Sequence, residues 1–67
     1  MTWKDRIAVD PRIMLGKPVI KGTRITVAYI VGLMAQGWST AEILKNYPQL
    51  KKRDLEAALK YAVETLN

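Results

Sequence analysis

The 67 residues include no cysteine and no histidine, which excludes disulfides, the usual zinc sites and c-type haem attachment together. Serine occurs once, as Ser39, and without histidine a hydroxyl nucleophile lacks its ordinary base. The carboxylates are Asp5, Asp10, Glu42, Asp54, Glu56 and Glu64, and several would have to converge in a sheltered cleft to hold magnesium or to work as an acid/base pair. A chain this short hardly encloses one, so the expected function is binding rather than catalysis, with no cofactor and no metal. No apolar run reaches the roughly 18 residues of a membrane span. Met1 to Asp10 carries acids and Trp3 where a secretory leader would have a basic start and an apolar stretch, so a cytoplasmic protein is expected.

A chain of this length makes one domain, residues 1–67, and buries only about 60% of its unfolded surface. With disulfides and metals excluded, association with a second copy or another protein is the remaining aid to stability, and a homodimer is expected.

Eleven Lys and Arg against six Asp and Glu give a net charge of +5. Residues 1–26 hold six of those bases and two of the acids, a net of +4; residues 27–67 hold five and four, a net of +1. Such a concentration of positive charge suits nucleic acid or an acidic protein surface, and it also serves solubility.

Residues 1–26 read as a basic extended segment. Ile7 to Val9 forms a first short strand, Asp10-Pro11 a break, Gly16-Lys17-Pro18 another, and Val19-Ile20 and Thr23 to Val27 flank a tight turn at Lys21-Gly22. Strands this short need the helices or a second chain to cover them. Residues 27–67 read as a three-helix unit. The first helix runs from Val27 to Gln36 and ends at Gly37; Val27, Ile30, Val31 and Met34 form one stripe, with Tyr29, Gly32, Leu33 and Gln36 opposite. That opposite face has little polar cover, which makes Tyr29 and Leu33 candidates for a subunit or partner contact, unless the N-terminal strands cover them.

Ser39-Thr40-Ala41-Glu42 is a capping box opening a helix over 40–47 that Pro48 stops, which gives Ser39 a structural role. A third helix starts at Lys51 or Lys52 and runs to Leu66, with Leu55, Ala58, Leu59, Ala62, Val63 and Leu66 as its buried stripe and Arg53, Ala57, Lys60 and Glu64 outward. The two helices and the turn between them have the layout of a helix-turn-helix, in which the later helix enters the major groove of DNA. Lys51, Lys52 and Arg53 stand at its first turn, where cations oppose the helix dipole unless an anion is bound, and Lys60 lies farther along, paired with Glu56 at i, i+4. These four are the candidate nucleic-acid contacts. Gly16 to Ile25 is not a phosphate loop, since no Lys-Ser/Thr pair follows Gly22.

Asp10-Pro11, the string Gly16-Lys17-Pro18-Val19-Ile20-Lys21-Gly22-Thr23-Arg24-Ile25, Gly37, Glu42-Ile43-Leu44, Tyr47-Pro48 and Asp54 to Leu59 together make the chain resemble a small prokaryotic family known as domain of unknown function four hundred and thirty-three. The resemblance implies short N-terminal strands followed by a homeodomain-like helix-turn-helix bundle, mainly α. It implies an antitoxin-like protein that neutralises a PIN-like ribonuclease toxin and binds its own promoter; a stand-alone helix-turn-helix regulator is the alternative. The acidic cleft of such a toxin would be met by the cationic segment, with Lys17, Lys21 and Arg24 joining Tyr29 and Leu33 as candidate partner contacts. Arg24 has a structural alternative, bonding nearby carbonyls or Asp10. Where the family often opens its third helix with a Thr-Pro-Glu-Asp-like sequence, this chain has Lys51-Lys52-Arg53-Asp54, so a helix without its usual cap is expected.

Overall fold

The computed structural model describes residues 3–65, the side chain of Trp3 excepted. Two strands, β1 (Ile7–Ala8) and β2 (Val19–Ile20), precede three helices, α1 (Val27–Ala35), α2 (Thr40–Asn46) and α3 (Lys52–Thr65). The strands are antiparallel, with Ile7 opposite Ile20 and Ala8 opposite Val19, and the chain just before α1 pairs with the other edge of β2 through a bridge between Val19 and Thr26. The expected fold, short N-terminal strands and a helical bundle, is the one observed.

The turn after β2 follows from its residues. Gly22 adopts φ +83°, the left-handed conformation glycine takes without steric cost, and Thr23 N–H closes the turn on the Ile20 carbonyl at 2.9 Å. The Thr23 hydroxyl donates to the same carbonyl at 2.8 Å and accepts from Ile25 N–H at 3.0 Å, so one side chain stitches the hairpin base. Gly37, at φ +97°, ends α1 with Gly37 N–H bonded to Met34 O and Trp38 N–H to Leu33 O, the paired bonds of a Schellman cap. One local feature had no sequence signal: Met14 and Leu15 take φ +50° and +58°, unusual for bulky residues, and Leu15 is 92% exposed. Bonds from Ile13 N–H to Asp10 O and from Gly16 N–H to Ile13 O hold this loop in shape.

Ile7 and Ile20 from the strands, Val27, Ile30 and Leu33 from α1, Ile43 from α2, and Leu55, Ala57 and Ala58 from α3 make one core. Two faces differ from expectation. Leu33 is buried in the core with Ile30, while Val31 and Met34 are only half-buried, so the buried stripe of α1 is Val27, Ile30 and Leu33. In α3 the core side is Asp54, Leu55, Ala57 and Ala58, with Leu59 43% and Val63 63% exposed. The helix is turned so that alanines rather than the larger aliphatics meet the bundle, since small side chains let helices approach closely and fill the narrow space without strain. Leu66 lies outside the described residues.

Candidate nucleic-acid and partner interfaces

The expectation of an uncapped α3 is overturned by Asp54. Its carboxylate is 1% exposed; one oxygen accepts from the backbone N–H of Lys51 at 2.8 Å and the other from Arg6 Nε at 2.6 Å. Asp54 stands three residues after Lys51, so the first of these bonds is the returning half of a capping box, made without a Ser or Thr at the cap. The second ties the N-terminal segment to α3, and the hydrogen bond to Asp54 raises the pKa of Arg6, keeping its guanidinium firmly protonated. The spacing of Asp54 from Lys51 carried a readable signal; a partner 48 residues away did not.

With its cap supplied from below, the first turn of α3 presents Lys51, Lys52 and Arg53 to solvent side by side, and none makes a side-chain bond among the described residues. Lys60, two turns on, is also exposed. The expected Glu56–Lys60 ion pair is not formed, both side chains extending into solvent. Leu59 and Val63 stand on the same outer side of the helix as Glu56 and Lys60.

The N-terminal candidates do not form one cluster. Lys17 and Lys21 are exposed at the two ends of β2. Arg24 is exposed at the edge of a hollow of about 430 Å³ whose other walls are Ala8, Ile13, Val19, Gly22 and Thr23. Asp10 is taken by Arg12, which meets it through Nε at 3.1 Å and through a terminal nitrogen at 3.0 Å, and this pairing holds the Asp10 carboxyl below its usual range. Arg24 is therefore not the partner of Asp10, and its guanidinium bonds nothing among the described residues.

Tyr29 is 48% exposed on α1, its ring edge-on to that of Tyr47 with centroids 5.9 Å apart and the two hydroxyls hydrogen-bonded. The bond to Tyr29 pushes the Tyr47 hydroxyl above the ordinary tyrosine range. Leu33, expected beside Tyr29 on an open face, is in the core and is not available to a partner. Among the described residues, no three potential metal ligands gather and no helix is long and apolar enough to cross a membrane.

Residues 7–62 match the family described as protein of unknown function, DUF433. The chain belongs to the DUF433 family. A DUF433 protein from Anabaena variabilis, solved by crystallography, superposes with a TM-score of 0.87 at 36% identity, over 91% of this chain and 60% of that one. An uncharacterized protein of Archaeoglobus fulgidus is 65% identical over 23 residues, 34% of this chain and 64% of that relative. The chain thus spans less than two thirds of either relative.

Proposed function

We propose that this DUF433 protein is an antitoxin-like binding module of the cytoplasm, without catalysis of its own, whose hairpin side docks on a PIN-like ribonuclease and whose α3 start contacts promoter DNA. The observation that carries the reading is Arg24: an exposed guanidinium, unbonded among the described residues, beside an open hollow walled by Ala8, Ile13 and Val19 with Gly22 and Thr23. A guanidinium so placed can fork onto a carboxylate of an acidic cleft while an apolar neighbour fills the hollow, and Lys17 and Lys21 add charge on either side. The second reading, a stand-alone regulator, is favoured by the bare Lys51-Lys52-Arg53 turn, which needs only phosphate.

The test is titration of Arg24→Lys and Arg24→Ala against the proposed PIN-like ribonuclease partner, with thermal unfolding of each variant. Lysine keeps the charge and loses the two-point geometry, so Arg24→Lys is expected to weaken toxin binding about tenfold or more with the melting temperature nearly unchanged. Lowered stability with unaltered toxin affinity would make Arg24 structural and remove the support for the antitoxin reading.

A further inference from the structure

The loop between β1 and β2 holds two bulky side chains in a backbone conformation that suits neither. Met14 and Leu15 have φ of +50° and +58°, and Gly16 follows at +83°. In this left-handed region a Cβ crowds the neighbouring carbonyl oxygen, so leucine and methionine are costly there, while glycine and asparagine are tolerated. Leu15 recovers none of that cost by burial within the chain, being 92% exposed. Val9 and Met14, 61% and 41% exposed, share its loop, so three of the six large exposed hydrophobics among the described residues fall between positions 9 and 15. The loop is nevertheless firmly bonded. Ile13 N–H donates to Asp10 O at 2.9 Å, Gly16 N–H to Ile13 O at 3.0 Å, Lys17 N–H to Met14 O at 3.2 Å and Arg12 N–H to the Asp10 carboxylate at 2.9 Å. Backbone strain held in place by such a loop, under an exposed apolar tip, points to a contact with another molecule.

Two residues from the tip, half-buried Ile13 forms one wall of the hollow that Arg24 borders, so a projecting side chain and a recess belong to the same loop. Residues 10–24 hold four bases, Arg12, Lys17, Lys21 and Arg24, and the single acid Asp10, a net of +3. That charge selects the occupant. A second copy docked by this side would bring the same +3 to the contact and be repelled. The phosphates of a duplex would meet the cations but have nothing to set beside Ala8, Ile13 and Val19, and a bilayer would take the tip and leave the recess and Arg24 open. A folded protein with an acidic surface can match tip, recess and charge together. We propose that Leu15, with Met14 beside it, is the apolar anchor of the hairpin side and enters a pocket on an acidic protein partner. This rests on the reading of that side as the toxin-facing one, and it adds what the partner must carry: a pocket for an aliphatic side chain, flanked by carboxylates. Because the loop is ordered before contact, the leucine is placed without further loss of backbone freedom.

Full-length Leu15→Asn, Leu15→Gly and Leu15→Met test it beside Arg24→Ala, by titration against the proposed PIN-like ribonuclease at low and high salt and by thermal unfolding. Asparagine accepts the left-handed conformation and the leucine buries nothing, so Leu15→Asn should melt at or above the temperature of the parent. It should bind the ribonuclease at least about tenfold more weakly, by a factor that salt leaves unchanged, whereas the loss for Arg24→Ala should shrink as salt screens the guanidinium. Leu15→Met, which keeps an apolar side chain of similar volume, should stay within about threefold of the parent. Parent-like affinity in Leu15→Asn overturns the proposal, and where Arg24→Ala is weakened in the same series the toxin reading stands without it. A parent with no affinity for the ribonuclease removes that reading and this anchor together. Lower melting, or failure to fold, in both Leu15→Asn and Leu15→Gly makes the leucine structural and overturns it as well. If only Leu15→Asn fails to fold, Leu15→Gly reads the same contact, and unchanged ribonuclease affinity there overturns it. So does binding of the parent to phosphatidylserine vesicles or to duplex DNA that the Leu15 variants abolish while ribonuclease affinity is kept.

Discussion

Asp54 illustrates how one residue type can be misread from a linear pattern. In the sequence it closes a Lys51-Lys52-Arg53-Asp54 start that is expected to lack its usual cap; in the fold it is the buried acceptor that caps α3 from within and anchors Arg6. The two partners are not equivalent. The Arg6 side chain is 26% exposed and can turn to water when its partner is removed, whereas Asp54 at 1% cannot. Arg6→Ala, which strands a buried carboxylate on a single N–H, is therefore expected to destabilise the protein more than Asp54→Asn does. Asparagine keeps an oxygen for Lys51 N–H while giving up the charge-assisted bond, at a cost of about 1.5–3 kcal/mol. Urea unfolding of the two variants beside the parent measures the order. A smaller loss for Arg6→Ala than for Asp54→Asn would mean that the carboxylate finds water or another donor when Arg6 is gone.

At the scale of elements, legibility followed the range of the interaction. The capping box at α2 is present in both halves, with Glu42 N–H bonded to Ser39 Oγ at 3.1 Å and Ser39 N–H to the Glu42 carboxylate at 2.9 Å. Gly22 and Gly37 turn where their positive φ was expected, because these motifs are closed within a few residues of chain. The face of α3 was not legible. The expected stripe ran through Leu55, Ala58, Leu59 and Val63 with Ala57 outward; the observed one keeps Leu55 and Ala58, takes in Ala57 and leaves Leu59 and Val63 to solvent, a rotation set by the elements packed against α3 and not by its own sequence. Leu33 went the same way: a helix apolar nearly all round allowed either a partner contact or cover by the chain itself at this position, and the fold buries it. The capping box also sets a pH dependence. The bond from Ser39 N–H, and then that from its hydroxyl, hold the Glu42 carboxyl below its ordinary value near 4.5. The unfolded chain thus takes up this proton at higher pH than the folded one, so the contribution is complete above about pH 4.5 and is lost as pH falls through the lower folded value. Urea midpoints measured from neutral pH into that acid range should fall less steeply for Glu42→Gln than for the parent; Asp10, likewise depressed, supplies the slope that remains. Parallel curves would show that the box does not discriminate between the protonation states. Ser39→Ala should lose about 1 kcal/mol at neutral pH through the missing cap.

Over the whole molecule, the charge asymmetry of the sequence is smaller than its arithmetic suggests. Of the six bases in residues 1–26, Arg6 is committed to Asp54 and Arg12 to Asp10. Lys4, Lys17, Lys21 and Arg24 are exposed there, and the three of them on and beside the hairpin, Lys17, Lys21 and Arg24, are as many cations as the Lys51-Lys52-Arg53 turn presents at the start of α3. Two cationic surfaces of similar strength, one on the hairpin and one on a helix start, are what a module with a protein partner and a nucleic-acid partner would need, and they should be separable. Replacing Lys51, Lys52 and Arg53 by Ala leaves the Asp54 cap intact, because the Lys51 N–H that Asp54 accepts from belongs to the backbone. The fold should therefore survive, and any DNA affinity should fall with a salt slope flattened by about 0.9 for each phosphate no longer neutralised. Affinity for the ribonuclease should stay within about twofold of the parent, since the hairpin is untouched. Fluorescence anisotropy with promoter DNA at several salt concentrations, alongside the toxin titration, measures both arms. If DNA affinity and its salt slope are unchanged, the three cations are a solvated surface with no role in binding; if toxin affinity falls together with DNA affinity, the two surfaces are one interface and the division of labour between hairpin and helix fails.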